Sequence, residues 1–399
     1  MAAGPPLGGL VRLALWLGIA GFGGGFSVLA QMRRDLVDRR RWVEAESFFE
    51  MLEVAKVLPG TSATNLFTLI GEREHGTAAG VLLGATFLLP SAATMVLLGA
   101  LYPVIRRMPD MGAFLDGLGV AMVPIVGAVV YEIGKDALRS LADVGLALLC
   151  CAAMAWAGIG LLELALAAAA LGAGTAIWQE QSRARAARIA RPPARHGGEG
   201  PPPAAGVALF PWMKAALVGA GLATLPSLAH VFAKIGAATF GGGLVMIPAI
   251  EQQVVHLRHW LTPAEFSDAI AFGQITPGPV AISATFIGYR VAGLSGALAS
   301  TVAMFAPPMA MTLLAGRGLG EFRQSPVLRG AIRTLGPAVI GMLLAAMVSL
   351  ARVSVASPVS ILIVAAGLLV LMVFRVNPLW VLLGGGLATL GASGISCLR

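Results

Sequence analysis

The chain has 399 residues, 57% hydrophobic and 12% charged, with a formal net charge of +8 and a mean hydropathy of +0.83. Soluble domains carry about 25% charged residues, so this composition excludes a water-soluble globule of its size and requires lipid around the apolar surplus. Three Cys (Cys150, Cys151, Cys397) and five scattered His fit neither a disulfide framework nor a zinc site. No cofactor and no metal is expected, and His256 and His259 read as a solvated loop pair.

A hydrocarbon core about 30 Å thick needs about 20 apolar residues per helix. The first such run, 8–30, has no Lys or Arg before Arg12 and no small-residue cleavage site, so it reads as a retained segment. It contains Phe22-Gly23-Gly24-Gly25 and leads into a loop with Arg33, Arg34, Arg39, Arg40 and Arg41. Residues 47–70 are apolar but broken at Pro59-Gly60. Further runs lie near 77–105, 113–133, 141–157 and 158–178. Gln179–Gly206 follows, with Arg183, Arg185, Arg188, Arg191 and Arg195 among paired prolines and glycines. It reads as a flexible cytoplasmic linker between an N-terminal repeat, 1–178, and a C-terminal repeat, 207–399. The second set of runs lies near 207–231, 232–250, 267–288, 291–316, 331–351, 355–374 and 378–395.

The fold expected is therefore an all-α polytopic membrane protein with about 10–12 membrane segments, some re-entrant or discontinuous. The Arg residues sit between apolar runs, which suits the positive-inside rule rather than nucleic-acid binding. A multi-pass location in the cell inner (plasma) membrane follows; a homo-oligomer stays open.

The two sets share a register. After Phe22-Gly23-Gly24-Gly25 come sixteen residues, Trp42, sixteen more, then Pro59-Gly60; Phe240-Gly241-Gly242-Gly243, Trp260 and Pro277-Gly278 repeat that spacing at an offset of 218. Phe48 matches Phe266, Glu50 matches Asp268, and Pro90 matches Pro308. With a one-residue gap, Arg73 matches Arg290. A dozen positions in one register indicate duplication. The first loop has five Arg where the matching loop, 251–261, has only Arg258. If basic loops stay cytoplasmic, the equivalent loops lie on opposite sides, which is an inverted-topology repeat.

The motif has a chemistry. Pro-Gly breaks a helix, and the helix that restarts presents unpaired N–H groups and a partial positive charge that attract anions. Breaks at matching places in two halves point to a transporter's midplane site. The substrate-binding candidates are Gly23, Gly24, Gly25, Pro59, Gly60, Thr61 and Ser62 in the first half, and Gly241, Gly242, Gly243, Gln274, Pro277, Gly278 and Pro279 in the second. Lys56 can offer a positive charge where the second half has Gln274, or pair with Glu53 on one helix face. Arg73 and Arg290 are matched cations, either ligands or snorkelling boundary residues. Glu50 and Asp268 favour a helix start or carry a proton. Trp42 and Trp260 read as interfacial anchors. No cluster for covalent or metal chemistry and no Walker-type phosphate loop is present, so no enzymatic activity is expected.

The stretch 235–308 resembles the chromate ion transporter family. It holds Phe240-Gly241-Gly242-Gly243, Pro248, Trp260, Gly273-Gln274-Ile275-Thr276-Pro277-Gly278-Pro279, Gly288-Tyr289 and Pro307-Pro308. The likeness extends to 16–90 through the duplicated motif, as in a long, two-domain member. In the first half, Phe26 follows the glycines and the break reads Pro59-Gly60-Thr61. The resemblance implies chromate export driven by an ion gradient, giving chromate resistance. Transport of sulfate or another oxyanion and a passive anion channel are the alternatives.

Overall fold

The computed structural model describes residues 5–21, 24–108, 110–157, 159, 161–189, 224–239, 243, 246–317, 326–355, 357–374 and 376–397. Gly23, Gly241, Gly242 and the 190–223 part of the linker and following run lie outside these residues. The described residues form fifteen helices and no strands.

The first half opens with two pairs of short helices. Helices α1 (Leu7–Ala20) and α2 (Gly24–Arg33) form the first, and α3 (Ala45–Val57) and α4 (Ser62–His75) the second. The run 8–30 is thus not one helix: α1 ends at Ala20 and α2 begins at Gly24. The long helix α5 (Thr77–Ile105) follows, about 43 Å at 1.5 Å per residue. Then come α6 (Met111–Ala137), α7 (Leu141–Ala155) and α8 (Leu161–Ile189). The segment from Gln179 to Ile189 is therefore helical, not flexible linker.

The second half repeats the plan with α9 (Thr224–Ala238), α10 (Ile247–Glu251), α11 (Pro263–Ile275) and α12 (Ser283–Arg317). Helix α12 is two helices joined at Ala292 and Gly293, whose backbone angles are not helical. Its two parts correspond to α4 and α5. Helices α13 (Pro326–Ser354), α14 (Pro358–Leu369) and α15 (Pro378–Cys397) complete the chain. Among the described residues, four stretches are long and apolar enough to cross a membrane: Thr77–Ile105, Met111–Lys135, Val280–Gly316 and Arg333–Ser354. The count of 10–12 segments is met only if the shorter and broken helices are included.

The backbone keeps the sequence register. Arg34–Arg39 and Gln252–Leu257 are π-helical turns at the same 218 offset. Each ends at a left-handed residue, Arg41 and His259, both at φ 51°. A guanidinium then covers the next indole, Arg40 over Trp42 and Arg258 over Trp260.

The equivalent loops occupy opposite ends of α5. Trp42 packs on Gly9 near the start of α1, and His75 bonds the Pro5 carbonyl, so the Arg-rich loop lies at the Thr77 end. Tyr102 and Arg106, at the other end, bond Asp268 of α11, and Arg290 stacks over Tyr102. The second loop therefore lies at the Ile105 end, as the unequal Arg content predicts.

The remaining helices interlock. Thr334 of α13 bonds the Ala168 carbonyl of α8, and Thr389 of α15 bonds the Ala113 carbonyl of α6. Each half thus packs on the last helices of the other. Outward faces carry Leu89, Leu148, Leu149, Leu362 and Trp380, all more than half exposed. Apolar side chains in that number suit lipid, not water.

Candidate functional site

The two breaks lie at mid-depth. Ser91 is fourteen residues from either end of α5, and its hydroxyl donates to the Pro277 carbonyl. At the first break, Gly60 adopts φ 96° and a Cβ there would lie 2.5 Å from Pro308 Cβ. At the second, Gly278 adopts φ 118° and a Cβ would strike Ser91. A side chain fits neither position, for backbone angle and for space.

Each break is tied to the opposite half. The Gly60 N–H donates to the Thr239 carbonyl at 2.7 Å, and the Gly278 N–H donates to the Gly21 carbonyl at 3.3 Å. These two bonds are equivalent under the 218 offset, since Gly21 matches Thr239. The residues that lead into each glycine run therefore hold the partner half's break. Gly243 closes the arrangement: a Cβ on it would lie 3.3 Å from the Ala281 amide nitrogen. Gly24 and Gly25 begin α2. Gly243 and the second break are thus packed together, and each break lies against the opposite half.

The restarting helices are not capped. No side chain caps α4 at Thr61 or the turn Val280–Ile282 at Pro279. Buried helix ends without partners are uncommon, and ligands are one way they are satisfied. Two fully buried polar residues sit just inside them at matched positions, Asn65 and Ser283. Asn65 Nδ2 donates to the Pro59 carbonyl at 2.9 Å and the Ala55 carbonyl at 3.3 Å, which leaves Oδ1 unpartnered. Ser283 Oγ and Gln274 Nε2 are likewise buried without partners. Thr61 and Thr64 pair hydroxyl to hydroxyl at 2.8 Å.

Pro59, Gly60, Thr61, Gly278 and Pro279 are buried, while Ser62, Gln274 and Pro277 are half-buried. Three expected ligands stand apart. Lys56 is exposed rather than turned into the break. Arg73 is exposed in the last turn of α4, about 16 Å of helix beyond Ser62. Arg290 ends the equivalent half-helix and bonds Glu265 at 2.8 Å. Helix length accounts for both arginines, since each lies a full half-helix from its break. No Lys or Arg is buried among the described residues, whereas Asp35, Glu251 and Asp268 are. Positive potential at the breaks comes from helix ends, each equivalent to about half an elementary charge.

Sequence reasoning missed Asn65, Ser91 and Tyr102, and left Ser283, which follows the second break, outside the candidate set. The offset that matched Pro59 to Pro277 also pairs Asn65 with Ser283, two polar residues in apolar surroundings, and was signal enough to find them. At the Ile105 end, burial works against the Arg106 charge, but Tyr102 and Asp268 hold its pKa above the ordinary arginine value.

The chromate transporter family profile matches residues 9–174 and 226–390, one match in each half. A chromate transport protein of Cupriavidus metallidurans is 30% identical over 349 residues, covering 87% of this chain and 83% of that protein. A chromate transport protein of Pseudomonas aeruginosa is 31% identical over 384 residues, covering 94% of this chain and 89% of that one. No solved structure matched the chain. With both halves matched and relatives similar over most of their length, the chain belongs to the chromate transporter family, a family of membrane transporters and not of enzymes.

Proposed function

We propose that the chain exports chromate across the inner membrane, driven by an ion gradient, with the anion held between the two breaks. The observation that carries this reading is the reciprocal tie of Gly60 to Thr239 and of Gly278 to Gly21 at mid-depth. Two half-helix N-termini aimed into one buried region supply about one unit of positive charge without a buried cation. Ser283 Oγ and Gln274 Nε2 add unpartnered donors for oxyanion oxygens. The absence of buried Lys or Arg among the described residues suits a site that must release a dianion as readily as it takes one. The positive-inside rule assigns the Arg-rich Thr77 end to the cytoplasm. The names of the relatives supply chromate as substrate, and a tetrahedral dianion fits the donor set.

Uptake of radiolabelled chromate into inside-out vesicles, with and without an imposed ion gradient, tests the reading. Gradient-dependent uptake is expected, and replacement of Pro277-Gly278-Pro279 by alanines should abolish it in protein that still reaches the membrane. Equal uptake from the two proteins would overturn the reading. Uptake indifferent to any gradient indicates a channel, and full suppression by equimolar sulfate indicates a broader oxyanion site.

A further inference from the structure

We propose that the Asp268 carboxylate is a proton-binding site that latches the two halves together at the Ile105 end and couples proton binding to their movement. The proposal rests on the transporter reading and adds a coupling ion and its residue.

Asp268 is 1% exposed, on the half-helix α11 that leads into the second break. Three donors from the other half converge on one of its oxygens. The Tyr102 hydroxyl donates to Oδ2 at 2.6 Å, and Arg106 donates from Nε and Nη2, each at 3.0 Å. The bond therefore joins α5 of the first half to α11 of the second. Only two helical turns separate Asp268 from Ile275, where α11 ends. Any tilt of α11 on release of the latch moves Gln274 and the Pro277-Gly278 break with it.

Charges on the surrounding elements define what release does. Helix α5 presents Tyr102 and Arg106. Helix α6 presents Asp116, 3.7 Å from Arg106 and largely exposed. Helix α12 presents Arg290, which is held by Glu265 of α11 itself. Helix α10 presents Glu251, engaged by Ser349 of α13, with His256 3.7 Å away. Arg352 of α13 is exposed, and α15 carries no acidic or basic side chain. A proton from water adds to one Asp268 oxygen and forms an O–H bond; no other bond is made or broken. The neutral acid no longer holds the guanidinium, which stays charged and passes to Asp116. Loss of the proton restores the latch.

Glu50 occupies the position equivalent to Asp268 at the 218 offset. Taking a carboxylate and a guanidinium out of water is costly, and ionisable groups at membrane depth mark function by default.

Chromate flux in proteoliposomes tests this, comparing wild type with Asp268→Asn and Arg106→Gln. One assay reads exchange with chromate on both sides and no pH gradient; the other reads accumulation driven by a pH gradient. In Asp268→Asn, exchange should persist while the accumulation ratio with and without the gradient falls to one. In Arg106→Gln, the carboxylate loses its cation and protonates more readily, so the pH profile should move to higher pH. Accumulation in Asp268→Asn that still follows the gradient would overturn the proposal, as would an unmoved pH profile in Arg106→Gln. Loss of both assays in an inserted Asp268→Asn protein would make the pair purely structural and would also overturn it. If wild type itself exchanges no chromate, the transport reading fails first.

Discussion

The two breaks share one backbone and differ in how it is held. At the first, Asn65 staples the chain by donating to the Pro59 and Ala55 carbonyls, and Thr61, Thr64 and Thr68 pair locally, the last with the Thr64 carbonyl. At the second, Pro279 stands where Thr61 does, and the polar groups nearby, Gln274 Nε2 and Ser283 Oγ, have no partners. The first break is held by side chains of its own half, the second by Ser91 of the other half and by the fixed φ of Pro279. Polar capacity spent on structure in the first half is left available for a ligand in the second. The unpartnered buried donors named here are thus concentrated at the second break.

The largest effects should come from the feature common to both. Gly60→Ala and Gly278→Ala each place a side chain at positive φ and against packed atoms of the other half. Strain and overpacking together cost about 3 kcal/mol, and chromate flux should vanish in either variant. Thermal unfolding in detergent would register the strain. A tolerated substitution at one site only would show that the two breaks are not equivalent even in backbone.

Asn65 and Ser283 separate the halves most cleanly. Asn65→Leu removes both staples and leaves two buried carbonyls unsatisfied, at about 1–3 kcal/mol each, so stability should fall. Ser283→Ala removes a hydroxyl without a partner, so stability should hold or rise while the half-saturating chromate concentration increases. The reverse pattern would assign the ligand to the first break. Gln274→Leu should act in the same sense as Ser283→Ala. Loss of one hydrogen bond to a charged group is worth about 1.5–3 kcal/mol, so a rise in half-saturation of tenfold or more is expected in flux titrations.

Much of this was legible in the sequence for physical reasons. A strict 218 offset carries backbone features with it, and the π-turns, left-handed residues and breaks recur where it places them. The excess of Arg in the first loop was enough to assign the two loops to opposite ends. What hydropathy hid was an interruption within an apolar run: 8–30 reads as continuous, yet α1 ends at Ala20 and α2 begins at Gly24. Contacts between halves were also hidden. Tyr102 and Asp268 lie 166 residues apart, and no periodicity joins them. The tie of each break to the other half runs through backbone groups that every sequence possesses.

Lys56 is the candidate that charge alone suggested. It lies three residues before Pro59, carries the only cation near either break in sequence, and has Gln274 as its counterpart. A charge so placed invites a role as anion ligand. Its side chain is exposed, however, at the last turn of α3. The Gln274 amide, half as conspicuous in sequence, has its nitrogen buried and unpartnered instead. Lys56→Gln should therefore change stability by no more than about 0.5 kcal/mol and leave half-saturation for chromate within about twofold, the same margin expressed as an equilibrium constant. Measured beside Gln274→Leu, it orders the two breaks directly. If Lys56→Gln were the more damaging of the pair, the first break would hold the anion by charge, and the asymmetry argued above would run the other way.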